Sequence, residues 1–389
     1  MGSEWRETTL GDFAPFNYGK GLPKRSRNTA GNVPVYGSNG ITGFHDEPLL
    51  EKGIIIGRKG SIGEVEFCDG PFWPIDTTFY VEDSPERDLR FTYYLLKSLP
   101  LQKMNSDSAV PGLNRTNAHS LVIQVPSLNE QKRIAHILGT LDDKIELNQR
   151  MNETLEGIAR AVFTSWFVDF DPVRAKMAGE PYPLPDEIMA LFPDELVESE
   201  LGLIPKGWEV KSLSHIANFL NGTACQRYSA KPGEPSLPVL KIKELRSGYF
   251  DGQSDRASMN IPEKYIVHNG DIIFSWSGSL LVNFWTGGKG FLNQHLFNVT
   301  SQKYSKWFYY SWVKYHLDEF QRIAAGKATT MGHIKRHHLD NALVITPDPY
   351  LMRAIDIYQR NIIDELVVKD VESRILEEVR NSLLEKLIS

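Results

Sequence analysis

At 389 residues, 41% hydrophobic, 24% charged and with a net charge of −6, the chain has the size and make-up of two or more soluble globular domains. No run approaches the roughly 18 apolar residues of a membrane span, and MGSEWRETTL lacks both a signal peptide's apolar core and, with Arg6 in place of Ser or Thr, the myristoylation pattern. Two cysteines far apart, Cys68 and Cys225, exclude a disulfide framework and imply a reducing compartment, so a cytoplasmic location and no membrane partner are expected.

Residues 1–126 read as a first domain of short strands punctuated by glycine. Strands are expected at 54–56, 78–81 and 121–125, and a helix over 91–103 broken at Pro100. Lys20, Lys24, Arg25 and Arg27 cluster in KGLPKRSRN. GSNGITG offers Ser38 and Asn39 on a bent loop, chemistry suited to base edges. GRKGSIG sets Arg58, Lys59 and Ser61 between glycines that let backbone approach a phosphate. Asn114, Arg115 and Asn117 repeat the mix. One such cluster alone is ordinarily solvated surface.

Residues 127–170 read as one long helix. Its seam alternates by threes and fours through Ile134, Leu138, Leu141, Ile145, Asn148, Asn152, Leu155, Ala159, Val162 and Trp166. Pro126 precedes it, and Ser127 with Glu130 makes a capping-box pattern. About 40 residues at ~1.5 Å each give a rod of roughly 60 Å. An ordinary core helix is the alternative; two seam asparagines favour a coiled coil, since buried Asn fixes register at a cost in stability.

Residues 171–205 carry six prolines and read as a packed linker with little regular structure beyond one short helix. Residues 206–347 then repeat the first domain. Trp5 answers Trp208, and residues 33–35, 52–57, 76–81 and 90–95 answer 237–239, 269–274, 294–299 and 306–311. The polar and basic loop residues of this copy are Gln226, Arg227, Lys241, Lys243, Lys289, Lys327, Thr329, Thr330, His333, Lys335 and Arg336. Trp276 and Trp285 follow a strand beside glycines and read either as core or as DNA contacts. Residues 348–389 form a second rod. A shift of 221 positions lays its seam on the first, Ile355 on Ile134, Leu366 on Ile145 and Lys369 on Asn148, and would set the midpoints Glu146 and Val367 opposite each other in an antiparallel pair.

Charge divides the same way. Residues 206–347 carry +7, residues 127–205 carry −8, and the remaining two segments −2 and −3. A basic globular segment between acidic helices suits DNA-facing domains and protein-facing rods. No phosphate loop, HExxH, amino-methyltransferase [DN]PP[YF] motif or nucleophile elbow occurs, so neither catalytic residues nor a cofactor is expected. His333 and His337 have helical i, i+4 spacing but few nearby carboxylates, which favours a basic loop over a metal site.

The stretches 126–173 (PSLNEQKRIAHILGTLDDKIELNQRMNETLEGIARAVFTSWFVDFDPV) and 202–213 (GLIPKGWEVKSL), with VPVYGSNGITG and IIIGRKGSIG, resemble the specificity subunits of type I restriction–modification enzymes along the whole chain. The resemblance implies an α+β fold: two mixed β/α target-recognition domains separated by two long antiparallel coiled-coil helices, related by a pseudo-twofold repeat. It implies no catalytic site and no cofactor. Each domain would bind one half of a bipartite double-stranded DNA target. Two modification (methyltransferase) subunits would dock on the helices, and restriction and translocase subunits would complete the enzyme. The aromatic cluster Phe163, Trp166, Phe167 and Phe170 exceeds what the seam needs and is expected to serve docking; packing of the linker is the alternative.

Overall fold

The structure, a computed structural model, describes residues 5–105, 112–231, 233–326 and 332–388. It divides into two compact units, residues 1–145 with 376–389 and residues 146–375. The chain passes from one to the other only within its two long helices, Leu128–Phe167 and Pro349–Ile388, each of 40 residues.

In the first unit the strand Gly53–Gly57 (GIIIG) is buried along its whole length. It lies between Thr78–Glu82 and Val65–Cys68, with Asn17–Tyr18 beyond the former. An unbroken apolar strand needs cover on both faces. Ile54 and Ile56 face a core built on Phe91, Tyr94 and Leu95 of the helix Leu89–Ser98, while Ile55 alternates to a cluster with Cys68 and Phe72. That helix starts on Asp88, whose carboxylate accepts from Phe91 N–H at 2.8 Å, and stops ahead of Pro100. Val33–Gly37 pairs antiparallel with Gly40–His45 and parallel with Trp73–Pro74. Arg6–Thr9 pairs antiparallel with Val122–Val125, bringing the domain's ends together just before the first long helix. There Ile134, Ala135 and Leu138 share the core with Ile388 of the second long helix, and Arg380 meets Asp142 at 2.6 Å.

The second unit repeats this plan. Its four-stranded sheet runs Asn218–Asn221, Leu296–Thr300, Ile272–Ser275, Val282–Phe284, the same order as in the first unit. Ser236–Leu240 again pairs antiparallel with one strand, Arg256–Ser258, and parallel with another, Gly290–Leu292. Glu209–Ser212 closes on Leu343–Thr346. The ladders correct the sequence repeat by one residue. Ile54 opposes Val81 and Ile272 opposes Val299, so residues 53–57 correspond to 271–275, not 270–274.

The proline-rich linker is more regular than its composition suggests. It holds two short helices, Asp171–Ala178 and Asp186–Met189, and a hairpin of Leu196–Ser199 with Gly202–Pro205. Lys176 Nζ ties it down by donating to the Phe192 carbonyl at 2.6 Å.

Within the second unit the long helices run antiparallel. Asn148, fully buried, donates to Glu372 Oε2 at 3.0 Å and Ser373 Oγ at 3.3 Å; Asn152 donates to Asp370 Oδ1 at 2.6 Å and to the Leu366 carbonyl at 3.2 Å. This register corrects the expected midpoint. Val367 lies across from the neighbourhood of Leu155 rather than Glu146, and the point where equivalent positions face each other falls near Arg150 and Val371.

Candidate nucleic-acid interface

In the first unit three loops and a strand end converge. Gly57 permits the tight turn after the buried strand: a Cβ there would stand 1.9 Å from the Ser61 carbonyl oxygen. Gly60, at φ +84°, completes it. The glycines of GRKGSIG thus serve the loop's own closure. Arg58 and Lys59 N–H both bond the Thr77 carbonyl, at 3.0 and 3.1 Å, and Leu113 N–H bonds the Arg58 carbonyl at 2.9 Å. Ser61 Oγ donates to Asn39 Oδ1 at 2.6 Å, and Ser38 N–H reaches Thr77 Oγ1 at 3.4 Å.

Tyr18, half exposed at the end of its strand, is the centre of this surface. The guanidinium carbons of Arg58 and Arg115 lie 4.9 and 4.7 Å from its ring centroid. Such stacking contributes about 0.5–1 kcal/mol at exposed sites. Arg58 Nη1 also donates to the Asp76 carbonyl at 2.9 Å, and neither arginine forms an ion pair with a described residue. Two cations on one ring with no carboxylate partner among the described residues make a site that favours an anion. A single tyrosine in a two-residue strand carries no sequence pattern, which is why sequence reasoning missed it.

The other expected contacts fare differently. Lys20, Lys24 and Arg25 are exposed. Arg27 is not a free contact: Nε and Nη2 donate to the Leu22 carbonyl at 3.0 and 2.7 Å and Nη1 to Thr42 Oγ1 at 2.9 Å, so it holds its own loop together. Asn114 caps the short helix Arg115–His119 by accepting from Asn117 N–H at 3.1 Å, so its oxygen is engaged too.

The second unit builds the same turn from other residues. Ile334 N–H bonds the Trp276 carbonyl as Leu113 does that of Arg58, and the bridge of Ser277 to His333 matches that of Lys59 to Gly112. Arg58 therefore corresponds to Trp276, Lys59 to Ser277 and Arg115 to Arg336. Tyr18, opposite Phe79, corresponds to Asn221, opposite Phe297. Trp276, half-buried, donates its Nε1–H to Asn221 Oδ1 at 3.0 Å; Ser277 Oγ lies 2.9 Å from His295 Nδ1. Trp285 is fully buried core. Arg336 reaches the Phe219 carbonyl at 3.3 Å, and Lys335 is exposed at the start of its helix. Lys241 and Lys243 are paired, with Asp255 and with Asp251 at 2.6 Å, while Gln226, Arg227 and Lys289 stand exposed. Lys327, Thr329 and Thr330 lie outside the described residues.

The aromatic cluster expected to dock a partner is buried. Phe163, Trp166, Phe167 and Phe170 are 0–6% exposed. Phe167 packs on Trp208, Trp307 and Phe308 with centroids 5.5–5.7 Å away, and Trp166 on Phe192 at 6.0 Å. These rings hold the linker and the second unit together. Among the described residues no helix is long and apolar enough to cross a membrane, and no cluster of three His, Cys, Asp or Glu could hold a metal.

Residues 2–157 and 205–367 match the family described as type I restriction modification DNA specificity domain. The chain belongs to that family. It is 26% identical, over its whole length and 99% of the relative's, to the type I restriction enzyme HindI specificity subunit of Haemophilus influenzae. It is 27% identical to the MjaIX specificity subunit of Methanocaldococcus jannaschii, over 77% of this chain and 68% of that one. Among solved structures, the S subunit of a type I restriction–modification system from M. genitalium shares the fold at TM-score 0.61 and 18% identity, covering 100% of this chain and 96% of that one. Members of this family are the non-catalytic components that confer DNA target specificity, and this specificity subunit carries the family domain twice.

Proposed function

We propose that each unit of this specificity subunit reads one half of a bipartite double-stranded DNA target. It does so in the cytoplasm for a complex containing two modification subunits and, in its full form, restriction and translocase subunits. The functional division is two readers (1–126 and 206–347), two rods (127–170 and 348–389) and a linker (171–205). What carries the reading is one strand order used twice with different side chains at its tip: Arg58, Lys59 and Tyr18 in one copy, Trp276, Ser277 and Asn221 in the other. A common scaffold fixes the approach to the duplex and differing tips fix the bases. Lys59, Arg115, Lys335 and Arg336 supply charge for phosphates.

The docking surface for the modification subunits is assigned to the solvent faces of the long helices. Leu147 and Ile158 on the first helix, and Tyr350, Ile357, Val368 and Ile375 on the second, are all more than 40% exposed. On each helix they recur at intervals of 7 or 11 residues, which keeps them on one narrow stripe. The 221-residue shift carries Leu147 onto Val368, and Ile158 onto Val379, which is also exposed. A repeated apolar position suits two copies of one partner.

The test is exchange of residues 206–347 for those of a relative, in complex with modification subunits, read by methylation of a library of targets. One half of the target should change and the other stay. A change in both halves, or in neither, contradicts the reading.

A further inference from the structure

Arg58 and Trp276 occupy equivalent places, at the tip of a strand buried along its whole length in each unit, yet their chemistry is opposite. Arg58 is held from two sides, by the Tyr18 ring at 4.9 Å and by the Asp76 carbonyl at 2.9 Å from Nη1. Among the described residues nothing accepts from its Nε and Nη2, which remain for an outside acceptor. A guanidinium fork so pre-positioned matches guanine, which presents two acceptors, O6 and N7, side by side in the major groove. Trp276 has a single donor and spends it on Asn221 Oδ1 at 3.0 Å. The indole then offers only apolar surface. Asn221 keeps both amide N–H groups and one lone pair, and it stands where Tyr18 stands in the other unit. Asparagine matches the N6 and N7 edge of adenine, and an apolar ring matches the thymine methyl.

We infer that this tip position selects the base in each half of the target: Arg58 takes a guanine in the half read by the first unit, and Trp276 with Asn221 takes an A·T pair in the half read by the second. The inference rests on the two-reader function proposed above and adds to it the residues and the bases.

The experiment uses the full chain in complex with modification subunits, incubated with duplex DNA randomised in both half-sites. Bound DNA is sequenced, and each variant's thermal melting is compared with that of the parent. Arg58→Ala and Arg58→Lys should each erase a guanine preference at one position of one half, by about tenfold or more, leaving all other positions unchanged. Trp276→Ala and Asn221→Ala should erase an A·T preference at one position of the other half. Trp276→Phe, which keeps the apolar ring, should retain most of it. If Arg58→Lys preserves the guanine preference, Arg58 is a point charge on phosphate and the inference fails. It fails equally if Arg58→Ala weakens all sequences evenly, or if the Trp276 variants alter the first half. A parent complex that selects no sequence in either half overturns the two-reader function itself, a different result from a parent that selects a split target its variants leave intact.

Discussion

At the scale of single residues, burial separates side chains that hold the fold from those that can meet a partner. Phe167 sits with no exposure among Trp208, Trp307 and Phe308. A charge there would be desolvated without a counter-ion. Phe167→Asp should therefore unfold the second unit, with a loss of at least about 3–5 kcal/mol judged from aromatic truncations in cores. Leu147→Glu paired with Val368→Glu should leave urea unfolding within about 1 kcal/mol of the parent and abolish co-purification with modification subunits. Undiminished co-purification of the double variant would remove the helix faces as the docking surface. Residue identity alone could not make this distinction. Aromatic excess at the end of the rod is visible in the sequence, but its partners Trp208 and Trp307 lie some 40 and 140 residues further on. The same holds for the cations. The basic loops are legible, yet Arg27, Lys241 and Lys243 turn out to be spent on Thr42, Asp255 and Asp251, and Tyr18 carries no pattern that would single it out.

At the scale of elements, the long helices were the clearest feature, because a seam repeated over many turns outweighs local noise. Their relative register was not. The 221-residue shift fixes which positions are equivalent, but not where the pair crosses, and that is decided by Asn148 and Asn152 finding Ser373 and Asp370. Both asparagines leave Oδ1 buried without a hydrogen-bond partner, so the seam gives up stability for a unique alignment. Asn148→Ala should cost about 1–2 kcal/mol by stranding the Ser373 hydroxyl. Asn148→Leu combined with Ser373→Ala should match or exceed the parent in urea unfolding, because the buried amide and hydroxyl leave together, which is near neutral, and Glu372 keeps its ion pair with Lys369. A double variant less stable than Asn148→Ala would mean that the asparagine contributes net stability. The strands were legible for a like reason: GIIIG and its counterpart are buried on both faces. The single-residue offset between them was not, because isoleucines coincide on either alignment and Gly53 meets Gly270 only on the wrong one. The linker hairpin was hidden by the prolines around it; the single proline within its strands, Pro205, is tolerated at the end of a strand that has one free edge.

At the scale of the whole molecule, both helices continue through the boundary between the units, so their length is available as a ruler for the unread spacer of a split target. Inserting four residues after Arg150 and four after Val371, the positions where the helices face their own equivalents, should preserve the pairing and lengthen it by about 6 Å. Duplex DNA advances about 3.4 Å per base pair, so the preferred spacer should grow by one or two base pairs with both half-site sequences unchanged. Methylation of a library with variable spacers measures this. An assembled insertion variant with the parental spacer optimum would show that the helices do not set the distance.

The closure of each globular domain by its own first and last strands, Arg6–Thr9 on Val122–Val125 and Glu209–Ser212 on Leu343–Thr346, has a genetic consequence. Where a fold enters and leaves at one place, it is a cassette: two crossovers in the gene, one on either side, replace it whole. A lineage carrying this gene can therefore acquire a new target in a single event, keeping the rods, the spacer and every partner subunit as they were. The DNA target then changes with no step-by-step change of loop residues to prepare it.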